Sequence, residues 1–255
     1  LNENGSTTDG IAGAKSTTTT SCQVVSQTAT LDISDSISIE RQGSVTQESR
    51  DDSIRTKDDI VNYNLDVGCF SGGRAEGFAY YIPVPKTTSV VDNFLIDASS
   101  TGMFDFDLKE VVTVSGSDIF NIEYAFEEGL SYTAAQEFTT WYTAEQIEED
   151  DTLLLENVSM IKLTVKEEGI QNGDQSRITA KFVYGGDDYL PDVGMENIWH
   201  SGGFYKHINS DRESAGNFAT EGAKVTVDYE LSDFDPIVLT AAKDMAPVLP
   251  GNTNS

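Results

Sequence analysis

Lys57-Asp58-Asp59-Ile60-Val61-Asn62-Tyr63-Asn64-Leu65-Asp66-Val67, followed by Tyr80-Tyr81-Ile82-Pro83-Val84-Pro85-Lys86, decides the fold. In the first stretch Val61, Tyr63, Leu65 and Val67 alternate with Asn62, Asn64 and Asp66. Successive side chains of a strand point to opposite faces, so this pattern predicts an antiparallel strand with one side in water. Gly68 and the Gly72-Gly73 pair predict a turn. The second stretch, 78–84, reads as a strand that meets Pro83 and Pro85. Proline has no N–H for a ladder, so that strand is expected to end there or to lie on a sheet edge.

The same rhythm of short strands and turns extends outward. Further strands are expected within 24–39 and at 102–108, 111–115, 120–126, 160–165, 177–184 and 224–231. The polar stretch 41–57 reads as a loop. Asn172-Gly173-Asp174 is a strong turn signal just before the strand at 177–184. Helical signals are confined to the middle. Thr133-Ala134-Ala135-Gln136 and Thr143-Ala144-Glu145-Gln146 both fit the capping-box spacing, predicting short helices near 133–137 and 143–150. The segment 185–221 is rich in Gly, Asp, Asn and Ser, and reads as one long loop carrying Trp199, His200, Phe204, Tyr205 and His207. The pattern implies an all-β fold in which strands dominate and helices only decorate. Residues 1–21 read as a disordered Thr/Ser-rich linker, 22–232 as a β-sandwich domain, and 233–255 as an extended tail leading to a further domain.

Composition narrows the function classes. The chain has 255 residues, 43 acidic against 16 basic, and a formal net charge of −27. Such a field repels nucleic acid and anionic lipid, so neither is an expected partner. No apolar run is long enough to cross a membrane as a helix, so membrane insertion is not expected. Cys22 and Cys69 are the only cysteines. They lack metal-binding spacing and are candidates either for a disulfide in an oxidising compartment or for two buried thiols.

These segments resemble a family of modular Gram-positive cell-surface adhesin-like proteins with Ig-like β-sandwich repeats. The likeness rests on 57–67, similar to an opening G-D-x-V-x-Y-x-I-x-V strand, and on Tyr81-Ile82-Pro83-Val84-Pro85-Lys86, which matches a Tyr-Ile-Pro-x-Pro-Lys motif. Asn157-Val158-Ser159-Met160-Ile161-Lys162 and the 169–176 turn extend it. The resemblance implies an Ig-like β-sandwich, enlarged here by the short helices and the long loop. It also implies an extracellular location at the cell surface or wall, and non-enzymatic work in adhesion or as a structural spacer between adjacent domains. Expected partners are a host or neighbouring-cell surface protein or a glycan. Isopeptide cross-links in such proteins make Lys162, Lys181 and Lys224 candidates, with Asp58, Asp107 and Asp228 as partners or catalysts.

The residues themselves offer few catalytic combinations. His200 and His207 are the only imidazoles, and no G-x-S-x-G elbow accompanies them. No cofactor is expected. Calcium, which needs several oxygen ligands, has its best candidate in Asp187, Asp188 and Asp192. A second function class is a carbohydrate- or protein-binding module. Its aromatic platform would come from Trp199 and Tyr205 of the long loop and from Trp141.

Overall fold

A computed structural model describes residues 31–228 apart from 71–73, 88–89, 94–97, 117, 129–139, 167–168, 187–188, 210–211 and 220–221; of the side chains at 90–101 and 206–221 nothing is said. The fold is all-β. The alternating stretch becomes β4 (Ile60–Cys69), which lies between β1 (Leu31–Arg41) and β12 (Gln175–Tyr184). With β2 (Ser44–Val45) and β8 (Phe106–Gly116) these strands form a five-stranded antiparallel sheet in the order β2-β1-β4-β12-β8. The second main sheet runs β15 (Arg212–Ala219), β14 (Gly202–Asn209), β5 (Arg74–Pro83), β10 (Met160–Val165), β9 (Phe120–Ala125), with β11 (Ile170–Gln171) also on β5.

One continuous core lies between these sheets. Val61, Tyr63, Leu65 and Val67 from β4 meet Phe78, Tyr80 and Ile82 from β5, with Ile37, Phe106, Phe182 and Leu163 filling the layer. A third sheet of β13 (Glu196–Trp199), β16 (Ala223–Val227) and β3 (Asp51–Ile54) adds Trp199, Val225 and Ile54 to the same core. Among the described strands, β16 with β3 is the parallel pair. β6 (Val90–Asn93) and β7 (Ala98–Thr101) form a separate hairpin.

Several local expectations change. Asn62 and Asn64 are buried, not solvated, because β4 has a neighbour on each side: the Thr179 hydroxyl donates to Asn64 Oδ1 at 2.7 Å. β5 ends at Pro83 as the prolines require, but it is central, between β14 and β10. The chain leaves the ladder with Val84 N–H donating to Ser159 O (2.9 Å), and the Pro85 carbonyl accepts from Phe106 N–H (3.0 Å). The expected strands at 102–108 and 111–115 are one strand, β8. The polar 41–57 stretch contains β2 and β3.

The largest correction is 185–221. It is not one loop, since it contains β13, β14 and β15. Gly202-Gly203 explains the difference. Glycine weakens a strand by propensity, but a Cβ at Gly203 would collide with the Ala79 carbonyl and lie 2.9 Å from Tyr80 Cα. The residue that argues locally against a strand is the one that lets β14 approach β5. Of the two expected helices, α1 (Ala144–Glu149) forms, with the Thr143 capping box in place (Thr143 N–H to Gln146 Oε1 at 2.9 Å). The segment 133–137 lies outside the described residues.

Candidate functional site

The described chain enters the sandwich at one end and leaves it at the other. In the β1–β4 register Leu31 pairs with Cys69 and Glu40 with Ile60. The exit is beside Ile60: Asp228 N–H donates to Ile54 O at 2.9 Å, and only the 55–59 turn separates Ile54 from Ile60. At roughly 3.3 Å per residue, β1 alone separates entry from exit by about 33 Å.

A single carboxylate organises the exit end. Asp59, 2% exposed, accepts from Arg41 at 2.6–3.0 Å, from Arg55 N–H at 2.7 Å and from the Thr56 hydroxyl at 2.8 Å. Arg41 also donates to Ser53 O (2.9 Å), and Arg55 pairs with Asp228 at 3.0 Å. The end of β1, the end of β3, the 55–59 turn and the residue after β16 are thereby tied together. Burial by itself would raise the Asp59 pKa, but the hydrogen bonds from Arg41, Arg55 N–H and Thr56 outweigh it and hold the carboxyl below its usual range. At the entry end, the predicted Asn172-Gly173-Asp174 turn latches onto β4. Gly173, at φ +98°, donates its N–H to Cys69 O (2.8 Å), and Cys69 N–H donates to Asp174 O (3.0 Å).

The expected aromatic platform is not assembled. Trp199 is fully buried, with Tyr63, Phe106 and Phe182 rings at 5.1–6.2 Å, so it is a core residue and cannot present a face to a ligand. Tyr205 packs half-buried against the same core, and burial, then the neighbouring Cys69, raises its pKa. Trp141 belongs to a different cluster, with Tyr81, Phe204 and Met160. The Lys162 ammonium sits 4.5 Å from the Trp141 ring centre, and Glu123 pairs with that ammonium at 3.0 Å.

Other candidates are also dispersed. Asp187 and Asp188 lie outside the described residues, while Asp192 is exposed, its carbonyl accepting from Met195 N–H at 3.2 Å. Among the described residues no cluster of three or more potential metal ligands occurs. His200 is half-buried and burial lowers its pKa; His207 belongs to β14, opposite Ala75 and Ser214. Cys69 is fully buried, and Cys22 lies outside the described residues. The candidate cross-link lysines pair with other groups: Lys162 with Glu123, Lys181 with Glu110, and Lys224 with Glu196 and Asp51. Asp107 pairs with Lys86 (2.8 Å) and Asp228 with Arg55. Among the described residues no helix is long and apolar enough to cross a membrane.

A buried polar cluster also escaped the sequence. Tyr63 Oη meets Asp35 Oδ2 (3.1 Å), Tyr80 Oη (3.3 Å) and the Ser201 hydroxyl inside the core. Burial raises the Tyr63 pKa far above its usual value, so it acts as a fixed neutral hydroxyl. Its signal would have been the aspartate at position 35 in the middle of an apolar-patterned strand.

The fold defines the class: an all-β sandwich of two main antiparallel sheets around one core. No family model and no curated protein matches the chain. Among solved structures it is similar to the full-length major pilin SpaD from Corynebacterium diphtheriae, with 11% identity and a TM-score of 0.35, over 76% of this chain and 34% of that one. It is also similar to BcpA, the major pilin subunit of Bacillus cereus, with 7% identity and a TM-score of 0.35, over 77% of this chain and 40% of that one. The chain therefore spans well under half the length of either pilin, and at these TM-scores neither likeness carries an argument about function.

Proposed function

We propose that the chain is a non-enzymatic, load-bearing spacer module of a bacterial surface protein, with adhesion carried by its exposed surface or by neighbouring domains. The observation that carries this reading is the separation of entry and exit, with Leu31 at one end of the sandwich and Asp228 at the other. Modules joined in series through such ends lie end to end, and tension runs along their strands.

The direction of β1 and β16, the first and last strands among the described residues and here the terminal strands of the described chain, supports the same reading. β1 begins at the entry end and runs toward the exit, paired with β4 at ten consecutive positions. β16 runs toward the exit, between β13 and β3. Pulling Leu31 and Asp228 apart drags each terminal strand along its own axis, so its ladder bonds are loaded together. Pulling Leu31 away from its partner Cys69 would break the β1–β4 pairs one after another.

Single-molecule pulling tests this. With handles at positions 31 and 228, the module should rupture at a clearly higher force than with handles at 31 and 69. Equal forces in the two geometries would remove the load-bearing reading. The surface location is tested by antibody labelling of intact cells, where labelling only after lysis would overturn it.

A further inference from the structure

We propose that Asn172 is a self-modification site, converted by water to aspartate and isoaspartate, and that the latch of its turn onto β4 holds the site closed. Asn172 and Gly173 lie in the turn between β11, which pairs with β5, and β12, which pairs with β4. The turn therefore carries the chain from one main sheet to the other at the entry end. Both residues are exposed. Gly173 has no Cβ, and the space where one would stand is open. Sterically, nothing at that position shields the Asn172 carboxamide from the backbone nitrogen that follows it.

The reaction is an attack by that nitrogen. Gly173 N gives up its proton and bonds to Asn172 Cγ, the Cγ–Nδ2 bond breaks, and ammonia leaves with the proton. Water then opens the five-membered ring at either carbonyl, giving aspartate or isoaspartate. No oxidant or cofactor enters. The step needs a free Gly173 N–H, and in the folded chain that group donates to the carbonyl of the fully buried Cys69 at 2.8 Å. Three more bonds hold the turn: Cys69 N–H to Asp174 O (3.0 Å), Asp174 N–H to Gln171 O (3.0 Å) and Gln171 N–H to Asp174 Oδ2 (2.8 Å). An N–H engaged with a buried carbonyl keeps its proton, so the chemistry waits on local opening of the turn. Isoaspartate adds one carbon to the main chain inside the span of these bonds. A chain that has reacted therefore does not relatch as before.

The test is a time course of the full chain at mildly alkaline pH, folded and in urea, read by mass spectrometry of the tryptic peptide 167–177. This separates Asn172 from the chain's other Asn-Gly pair, Asn4-Gly5. Conversion in the folded chain should be at least about tenfold slower than in urea or in a synthetic 167–177 peptide, the weight of one or two hydrogen bonds. Asp174→Ala, which removes the acceptor for Gln171 N–H, should speed the folded reaction about fivefold and leave the rate in urea unchanged. Amide exchange in the native chain reads the latch without a variant, and the Gly173 amide should be protected. Folded chain and peptide reacting at the same rate, an unprotected Gly173 amide, or a folded Asp174→Ala chain reacting no faster than native would each overturn the proposal. None of these outcomes bears on how the module carries load.

Discussion

Asp59 and Trp199 show how differently two residues can stand to their sequence context. Asp59 belongs to the Asp58-Asp59-Ile60 run that opens the alternating strand, and nothing in that run distinguishes it from its exposed neighbour. Its role becomes visible only when Arg41, 18 positions upstream, is brought to it. Asp59→Asn would keep the shape and remove the charge-assisted bonds, with an expected cost of about 2–3 kcal/mol by urea denaturation. Because the folded-state pKa of Asp59 is lowered, its contribution is complete above the ordinary carboxyl value near 3.8 and is lost as pH falls through the folded-state value. His200 acts earlier in acid. Its folded pKa lies below 6.5, so the unfolded chain takes up that proton first and stability declines as pH drops below about 6.5. A pH series of urea midpoints should show both windows, and Asp59→Asn should flatten the lower one alone. Trp199→Ala should cost about 3–5 kcal/mol, as expected for a large buried ring, whatever ligand is present. Loss of ligand binding at unchanged stability would contradict the buried position.

At the scale of elements, strands whose own residues alternate were legible. β4, β10, β12 and the capped helix α1 fall at or close to their expected positions. β14 and β15 were not legible, because Gly-Gly and the Ser-Ala-Gly-Asn run carry weak strand preference. Those two strands exist by pairing: β14 is registered on β5, and β15 on β14. Close approach at Gly203 is therefore a sharper requirement than strand propensity. Gly203→Val, which improves propensity, should destabilise the chain by about 2–3 kcal/mol through overpacking against Ala79 and Tyr80. Gly173→Ala should cost only about 1 kcal/mol, because its left-handed backbone is strained by a Cβ but the space beside it is open. Thermal melts of the two variants would check that order; the reverse order would show that β14 does not need the close approach.

For the whole molecule, the all-β class followed from the rhythm of short alternating strands, whereas the single core between the two sheets is visible only in the structure. The separation of the two ends did not follow from that rhythm either, because it depends on which strands pair and in which direction. The long-range contacts that fix it, Arg41 to Asp59 and Asp228 to Ile54, join segments the sequence gives no reason to connect. They also give the load-bearing reading its most direct test, which is rupture force measured through positions 31 and 228 in the native chain and in Asp59→Asn. The clamp at the exit end predicts a high native rupture force that falls in Asp59→Asn, while the force needed to peel β1 through positions 31 and 69 changes little. A native end-to-end rupture force no higher than the peeling force, or one untouched by Asp59→Asn, would contradict it.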